Sequence, residues 1–177
     1  MATWFLRTPN RRIAIIAATV FLLDQFTKLL VLRLIPMKGD ERIVIDGFFK
    51  FVHFGNTGAA WSMFTGNNEL LAIVALVALL VLFLSRHHFE SKTLLGQFAF
   101  GFIFGGVAGN LFDRLLPGRH EVIDFIYFYI KQRGGEEMGF PAFNVADSGI
   151  CIGVALVFIV TWKSDAAKKT VETPAKS

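Results

Sequence analysis

Four apolar blocks, set apart by polar stretches, decide the fold class of this chain. They run Ile13–Ile35, Leu70–Leu84, Leu94–Phe112 and Val145–Trp162. A helix crossing a bilayer needs about 20 residues, with about 17–25 tolerated. The first block meets that length outright. The others reach it with their polar shoulders, which places helices over about 12–35, 67–85, 94–113 and 143–162. Between them lie two long connections, about 36–66 and 114–142, and a basic tail follows over about 163–177. Composition agrees: 54% of the 177 residues are hydrophobic and only 18% charged, where a soluble domain carries about 25% charged. The expected architecture is an α-helical integral membrane protein, one unit spanning 1–177. Arg7, Arg11 and Arg12 precede the first block as they would in a signal peptide. That block is too long for an h-region, carries Asp24 and Lys28, and lacks a small-residue cleavage site, so it reads as a retained helix.

Charge sets the orientation. The two tails and the short middle connection hold Arg7, Arg11, Arg12, Arg86, Lys92, Lys163, Lys168, Lys169 and Lys176 against Glu90, Asp165 and Glu172, a net of +6. The two long connections come to about −1 each. Basic residues accumulate on the cytoplasmic side, so both termini are expected there and the long connections outside. The overall charge of +4 is then a topology signal, and no nucleic-acid partner is expected. Cys151 stands alone and reads as a core side chain, while His53, His87, His88 and His120 lack metal-ligand spacing. No metal or cofactor is expected.

The long connections hold the remaining pattern. RIVIDGFFKFVHF places two β-prone runs around Asp46-Gly47, a hairpin signal. The following Ala-Ala-Trp-Ser-Met-Phe has the composition of a short interfacial helix anchored by Trp61 and Phe64. EVIDFIYFYI in the second connection is β-prone and aromatic, and KQRGGEE reads as a polar turn. Helices thus carry a small β-rich extracytoplasmic region, suited to a lipid-bearing partner or to a plain cap over helix ends.

Ionisable residues within spanning segments are functional candidates, because a charge at the bilayer centre costs about 2.5–3.5 kcal/mol on insertion scales. Asp24 and Lys28 stand at i and i+4 on the first helix, an ion pair or part of a site. Gly101, Gly105 and Gly109 form a small-residue packing stripe on the third helix. Asn110, Asp113 and Arg114 follow at its end on one face. Asp124, in VIDFI, and Asp147, in NVADS, are lone acids among apolar residues on separate segments. Two carboxylates brought together in a dry place share a proton, and such a pair can activate water and protonate a leaving group. Asn144 is one turn before Asp147 and faces the same way, whereas Ser148 begins to turn aside. HExxH, GxSxG and Cys/His arrangements are all missing. If the chain is an enzyme, aspartate acid–base chemistry is what remains.

These segments resemble the lipoprotein signal peptidases (signal peptidase II) of bacteria. The matching stretches are DQFTK (Asp24–Lys28), NTGAAWS (Asn56–Ser62), GGVAGNLFDR (Gly105–Arg114), VIDF (Val122–Phe125) and FPAFNVADSGI (Phe140–Ile150), with Trp61 where the family more often has phenylalanine. The resemblance implies an intramembrane aspartyl endopeptidase of the bacterial inner membrane. Its substrates would be diacylglyceryl-modified prolipoproteins, cleaved before the lipidated cysteine. Asp124 and Asp147 would be the catalytic pair. Asn56, Asn110, Arg114 and Asn144 would line or order the site, with Asp24 and Lys28 supporting it. Partners beyond substrate and membrane lipid are not expected, and the protein reads as a monomer. A small proton-coupled transporter using the same carboxylates as a relay is the alternative. It fits less well, since no repeated half is visible and the acids crowd toward one side. A non-catalytic assembly factor would not require acids on two separate segments near one surface.

Overall fold

The computed structural model describes residues 8–58, 66–86 and 91–172. Its elements in chain order are α1 (Pro9–Leu34), β1 (Glu41–Ile45), β2 (Phe49–Asn56), α2 (Asn68–Ser85), α3 (Leu94–Leu115), β3 (Val122–Lys131), β4 (Glu137–Gly139) and α4 (Val145–Glu172). All four helices are long and apolar enough to cross a membrane. The interfacial helix expected around Trp61 and Phe64 lies outside the described residues, as do His87 and His88. α1 opens on Pro9, whose fixed φ suits the first helical turn. Thr93 caps α3 by accepting a hydrogen bond from Gly96 N at 3.0 Å. α4 differs from the expectation at its far end, continuing to Glu172 where a tail was expected from 163. Residues 163–172 contain Ala, Lys and Glu but neither Gly nor Pro, so nothing in that stretch stops the helix.

α3 is the central helix, with α1 and α4 packed along it and α2 resting mainly on α3 alone. Glycines on two of its faces permit this. A Cβ at Gly105 would lie 2.5 Å from the Ala17 carbonyl oxygen on α1, and one at Gly106 would lie 2.4 Å from the Ala146 carbonyl on α4. The stripe read from the sequence therefore serves α1, and Gly106, outside it, serves α4. Away from these seams the surface is apolar: Leu22, Phe26, Leu80 and Phe158 are all more than half exposed. In water that surface would be a large liability; against acyl chains it is the ordinary outer face of a membrane protein.

At one end of the bundle sits an antiparallel sheet ordered β1-β2-β3-β4. The Asp46-Gly47 turn joins β1 to β2, and Gly47 adopts φ +73, the left-handed conformation such turns demand. β4, which the KQRGGEE turn leads into, was not evident in the sequence. Lys50, on β2, ties the four strands together: its buried ammonium lies 2.5 Å from Glu41 and 2.6 Å from Glu137, over the Tyr129 ring. The sheet is stitched to the bundle where Phe143, just before α4, accepts from Phe125 N and Ile126 N and donates to Ile126 O. Those three bonds set β3 against the start of α4.

Tight α1–α3 packing makes a direct prediction. Gly105→Val should lower the unfolding midpoint in mild detergent by the equivalent of about 1–3 kcal/mol, the usual cost of overpacking. Leu22→Ala, on a side chain 64% exposed to the surroundings, should stay within about 0.5 kcal/mol of wild type. Equal losses in both would contradict the packing described.

Candidate active site

The site rests on a cluster of charges inside the bundle. Asp24, Lys28 and Asp113 have no exposed surface. The Lys28 ammonium lies 2.7 Å from Asp24 Oδ2 and 2.7 Å from Asp113 Oδ2. Arg119, from the connection after α3, pairs with the other Asp113 oxygen. Two acids and two bases thus cancel, the condition under which buried charges are tolerable. Gln25 Nε2 donates to Asp24 Oδ2, Asp113 Oδ1 and the Gly109 carbonyl at 3.1–3.2 Å. Gly109 has to be glycine here, since its Cβ would fall 2.6 Å from Asp24 Oδ2.

From this base the order passes upward through two asparagines. Lys28 Nζ also donates to Asn110 Oδ1 at 3.0 Å. An ammonium has only donors, so it dictates which end of the Asn110 amide faces it. The Asn110 nitrogen is thereby turned the other way, where it donates to Asp147 Oδ1 at 2.7 Å. Asn144 caps α4. Its Oδ1 accepts from Asp147 N at 2.9 Å, while Asp147 Oδ2 accepts from Asn144 N at 3.1 Å. This is the reciprocal pattern of a capping box. Asp24 adds a further cap, since its Oδ1 accepts from Ala146 N at 2.9 Å. Two orphan donors at the start of α4 are satisfied, and two carboxylates sit at its positive end.

Asp124 arrives from the sheet. The antiparallel register sets it opposite Phe54 and sets Asn56 opposite Val122, so Asn56 is its diagonal neighbour. Asn56 Nδ2 donates to Asp124 Oδ2 at 2.9 Å, and Asn144 Nδ2 donates to Asp124 Oδ1 at 2.8 Å. Asn144 thus contacts both acids: its side-chain nitrogen holds Asp124, and its side-chain oxygen and backbone N–H hold the Asp147 turn. Asp124 is almost completely buried. Burial, with the neighbouring charge of Asp147 second, pushes its carboxyl up from 3.8 to about 7.

Both aspartates line one cavity of about 1020 Å³, bounded by β2, β3, the Gly139–Phe143 segment and the first turns of α4. Aromatic and aliphatic groups make most of its wall, including Phe54, Tyr127 and Phe140. It continues along α4 past Ile150 to Ile152, a side chain on the lipid-facing surface. Two acids on the cavity wall therefore meet an apolar trough. Such an arrangement can move protons to and from a substrate that is itself part apolar. No group of three or more His, Cys, Asp or Glu suited to a metal ion occurs among the described residues.

All eight residues singled out in the sequence as site residues converge on this end of the bundle. Arg114 donates to the Gly58 carbonyl at 2.9 Å and to Asn110 O at 3.3 Å, with no hydrogen bond to either aspartate. Gly58 N in turn donates to Asn56 Oδ1 at 2.8 Å. Arg114 therefore braces the turn that aims Asn56. Ser148, expected to turn aside, borders the cavity and donates to Asn144 O at 3.0 Å. Cys151, expected in the core, is exposed and also borders the cavity. Its helical position, four residues beyond Asp147, puts it on the cavity side rather than toward α3. Gln25 and Arg119 were missed. Gln25 beside Asp24 in an apolar helix was the available signal for one; Arg119, in a loop, carried none.

Residues 16–163 match the family model described as Signal peptidase (SPase) II. A lipoprotein signal peptidase of Anoxybacillus flavithermus is 34% identical over 163 residues, covering 92% of each chain. One from Bacillus pumilus is 40% identical over 147 residues, covering 82% of this chain and 88% of the relative. A solved bacterial membrane enzyme, determined by the in meso method at 2.3 Å resolution, superposes with a TM-score of 0.70 at 33% identity. That match covers 93% of this chain and 94% of the other. Fold, coverage and identity agree that the chain is a multi-pass membrane protein belonging to the signal peptidase II family.

Proposed function

We propose that this protein is an intramembrane aspartyl endopeptidase. It removes the signal peptide from diacylglyceryl-modified prolipoproteins by cutting the amide bond before the lipidated cysteine. The observation that carries this reading is the joining of Asp124 and Asp147 through Asn144 in one cavity that runs into an apolar trough. Support also comes from relatives named for lipoprotein signal peptidase activity. The protein resides in the bacterial inner membrane with both termini cytoplasmic and the sheet end at the outer face, as the distribution of basic residues indicates.

In the proposed mechanism the two carboxyls hold one proton between them, which the elevated Asp124 ionisation favours near neutral pH. The ionised member takes a proton from water as its oxygen attacks the scissile carbonyl. The protonated member gives its proton to the developing oxyanion, forming a gem-diol. Collapse of that intermediate breaks the C–N bond. A proton passes to the departing amine, leaving a signal-peptide carboxylate and a free cysteine amine. Asn56 and Asn144 hold Asp124, and Asn110 holds Asp147. Lys28 reaches Asp147 through Asn110 and the first turn of α4 through Asp24, and is a positioning residue.

Asp124→Asn and Asp147→Asn should each remain folded in the membrane and lose at least roughly 10³-fold in turnover of a lipidated precursor peptide. Substantial residual cleavage in either would sink the assignment. Asn110→Ala should reduce kcat by roughly 10²-fold with a smaller change in KM, because a misplaced carboxylate impairs chemistry more than binding; a change confined to KM would count against its role. The pH dependence of stability has a definite sign. Because Asp124 rises from 3.8 to about 7 on folding, the folded state keeps a proton that the unfolded chain releases across that window. This contribution is complete below about pH 4 and is lost as pH climbs to about 7. The unfolding midpoint of Asp124→Asn should therefore gain on wild type as pH rises from about 4 to about 7, and a constant difference across that range would contradict the burial argument.

A further inference from the structure

A second, smaller cavity of about 270 Å³ lies between the last turns of α1 and the sheet, separate from the one that holds the aspartates. Its wall is apolar, made by Leu30, Val31 and Leu34 of α1 with Phe51 and Phe125 of the sheet. Arg42, on edge strand β1, contributes the single charged side chain to the wall. The register sets Arg42 opposite Phe51, so the two share a face of the β1–β2 hairpin. Arg42 is exposed and makes no ion pair with any acid among the described residues, because its neighbour Glu41 is engaged by Lys50.

Three facts together specify an occupant. The floor of the groove belongs to a membrane-spanning helix, and its Leu34 is 58% exposed on the lipid side. The hairpin bearing Arg42 displays Ile43, Val44, Ile45 and Phe48, each more than half exposed, which sets it in the bilayer interface and not in bulk water. A guanidinium with no acid partner among the described residues, at that depth, lies level with lipid phosphates. We infer that this groove binds one bilayer phospholipid of anionic headgroup, its phosphate on Arg42 and the upper part of an acyl chain against Leu30, Leu34 and Phe51. It does not take the precursor's lipid. The bound molecule would fill the gap between α1 and the sheet, on the opposite side of Phe125 from the neighbouring Asp124.

The full chain in mixed micelles of phosphatidylglycerol and phosphatidylcholine with matched acyl chains, read by native mass spectrometry, tests this. Wild type should retain one phosphatidylglycerol with a preference of roughly five- to tenfold, the scale of one interfacial basic contact. Arg42→Gln should abolish the preference, and Leu30→Trp, which fills the groove and keeps the charge, should abolish retention. Both variants should keep the wild-type KM for a lipidated precursor peptide. Equal retention of the two lipids by wild type would overturn the inference. So would displacement of the lipid by millimolar inorganic phosphate, which would mark a simple anion site. A raised KM in Leu30→Trp would assign the groove to the substrate's acyl chain instead. A shift in unfolding midpoint on adding phosphatidylglycerol, present in wild type and absent in Arg42→Gln, gives a readout independent of mass spectrometry; no shift in wild type would count against binding.

Discussion

Lys28 is the constraint on which the rest of this structure depends. It is a fully buried ammonium in a membrane-spanning helix, and such a group is tolerable only if opposite charge and hydrogen-bond acceptors surround it. Asp24, Asp113 and Asn110 supply them from α1 and α3, and Arg119 restores the charge balance. Meeting that requirement fixes how α1 lies on α3, and it explains the glycine at position 109, where the helices approach too closely for a side chain. Asp24, held by Lys28, then caps α4 through Ala146 N. One buried cation thereby organises three helices.

The same cation reaches the candidate catalytic acids without touching them. By fixing the Asn110 amide it turns a donor toward Asp147, and the Asn144 capping box holds Asp147 from the other side. Asp124 depends on a different scaffold, the β2–β3 pairing and the three backbone bonds at Phe143. Asn144 is the junction where helical and sheet frameworks meet. A rigid pair built from two scaffolds suits the proposed chemistry, because the acids keep their spacing.

Much of this could be read in the sequence, for physical reasons that also explain what could not. The four spans follow from apolar length alone, and the hairpin from Asp46-Gly47 between β-prone runs. Asp124 and Asp147 stood out because lone acids are costly among apolar neighbours. Their relation to Asn144 was only half legible. Asn-x-x-Asp at a helix start signals reciprocal capping, yet its grip on Asp124 depends on strand register, which no local pattern encodes. Arg114 was expected to line or order the site, and only folding shows the carbonyl of Gly58 as its partner. Cys151 illustrates the reverse error: a small residue in an apolar helix suggests core, whereas helix rotation turned it toward the cavity. α4 outran its expected end because membrane thickness limits apolar length but does not stop a helix.

The most direct test of the account is product analysis with purified protein in defined bilayers. A synthetic precursor peptide bearing a diacylglyceryl cysteine would be incubated alongside the same peptide without the lipid, and the products resolved by mass spectrometry. The account predicts one cut, at the amide before the modified cysteine, releasing a free amino terminus, with little or no turnover of the unlipidated peptide. Cleavage at other bonds, or no cleavage of the lipidated peptide by a folded protein, would contradict it.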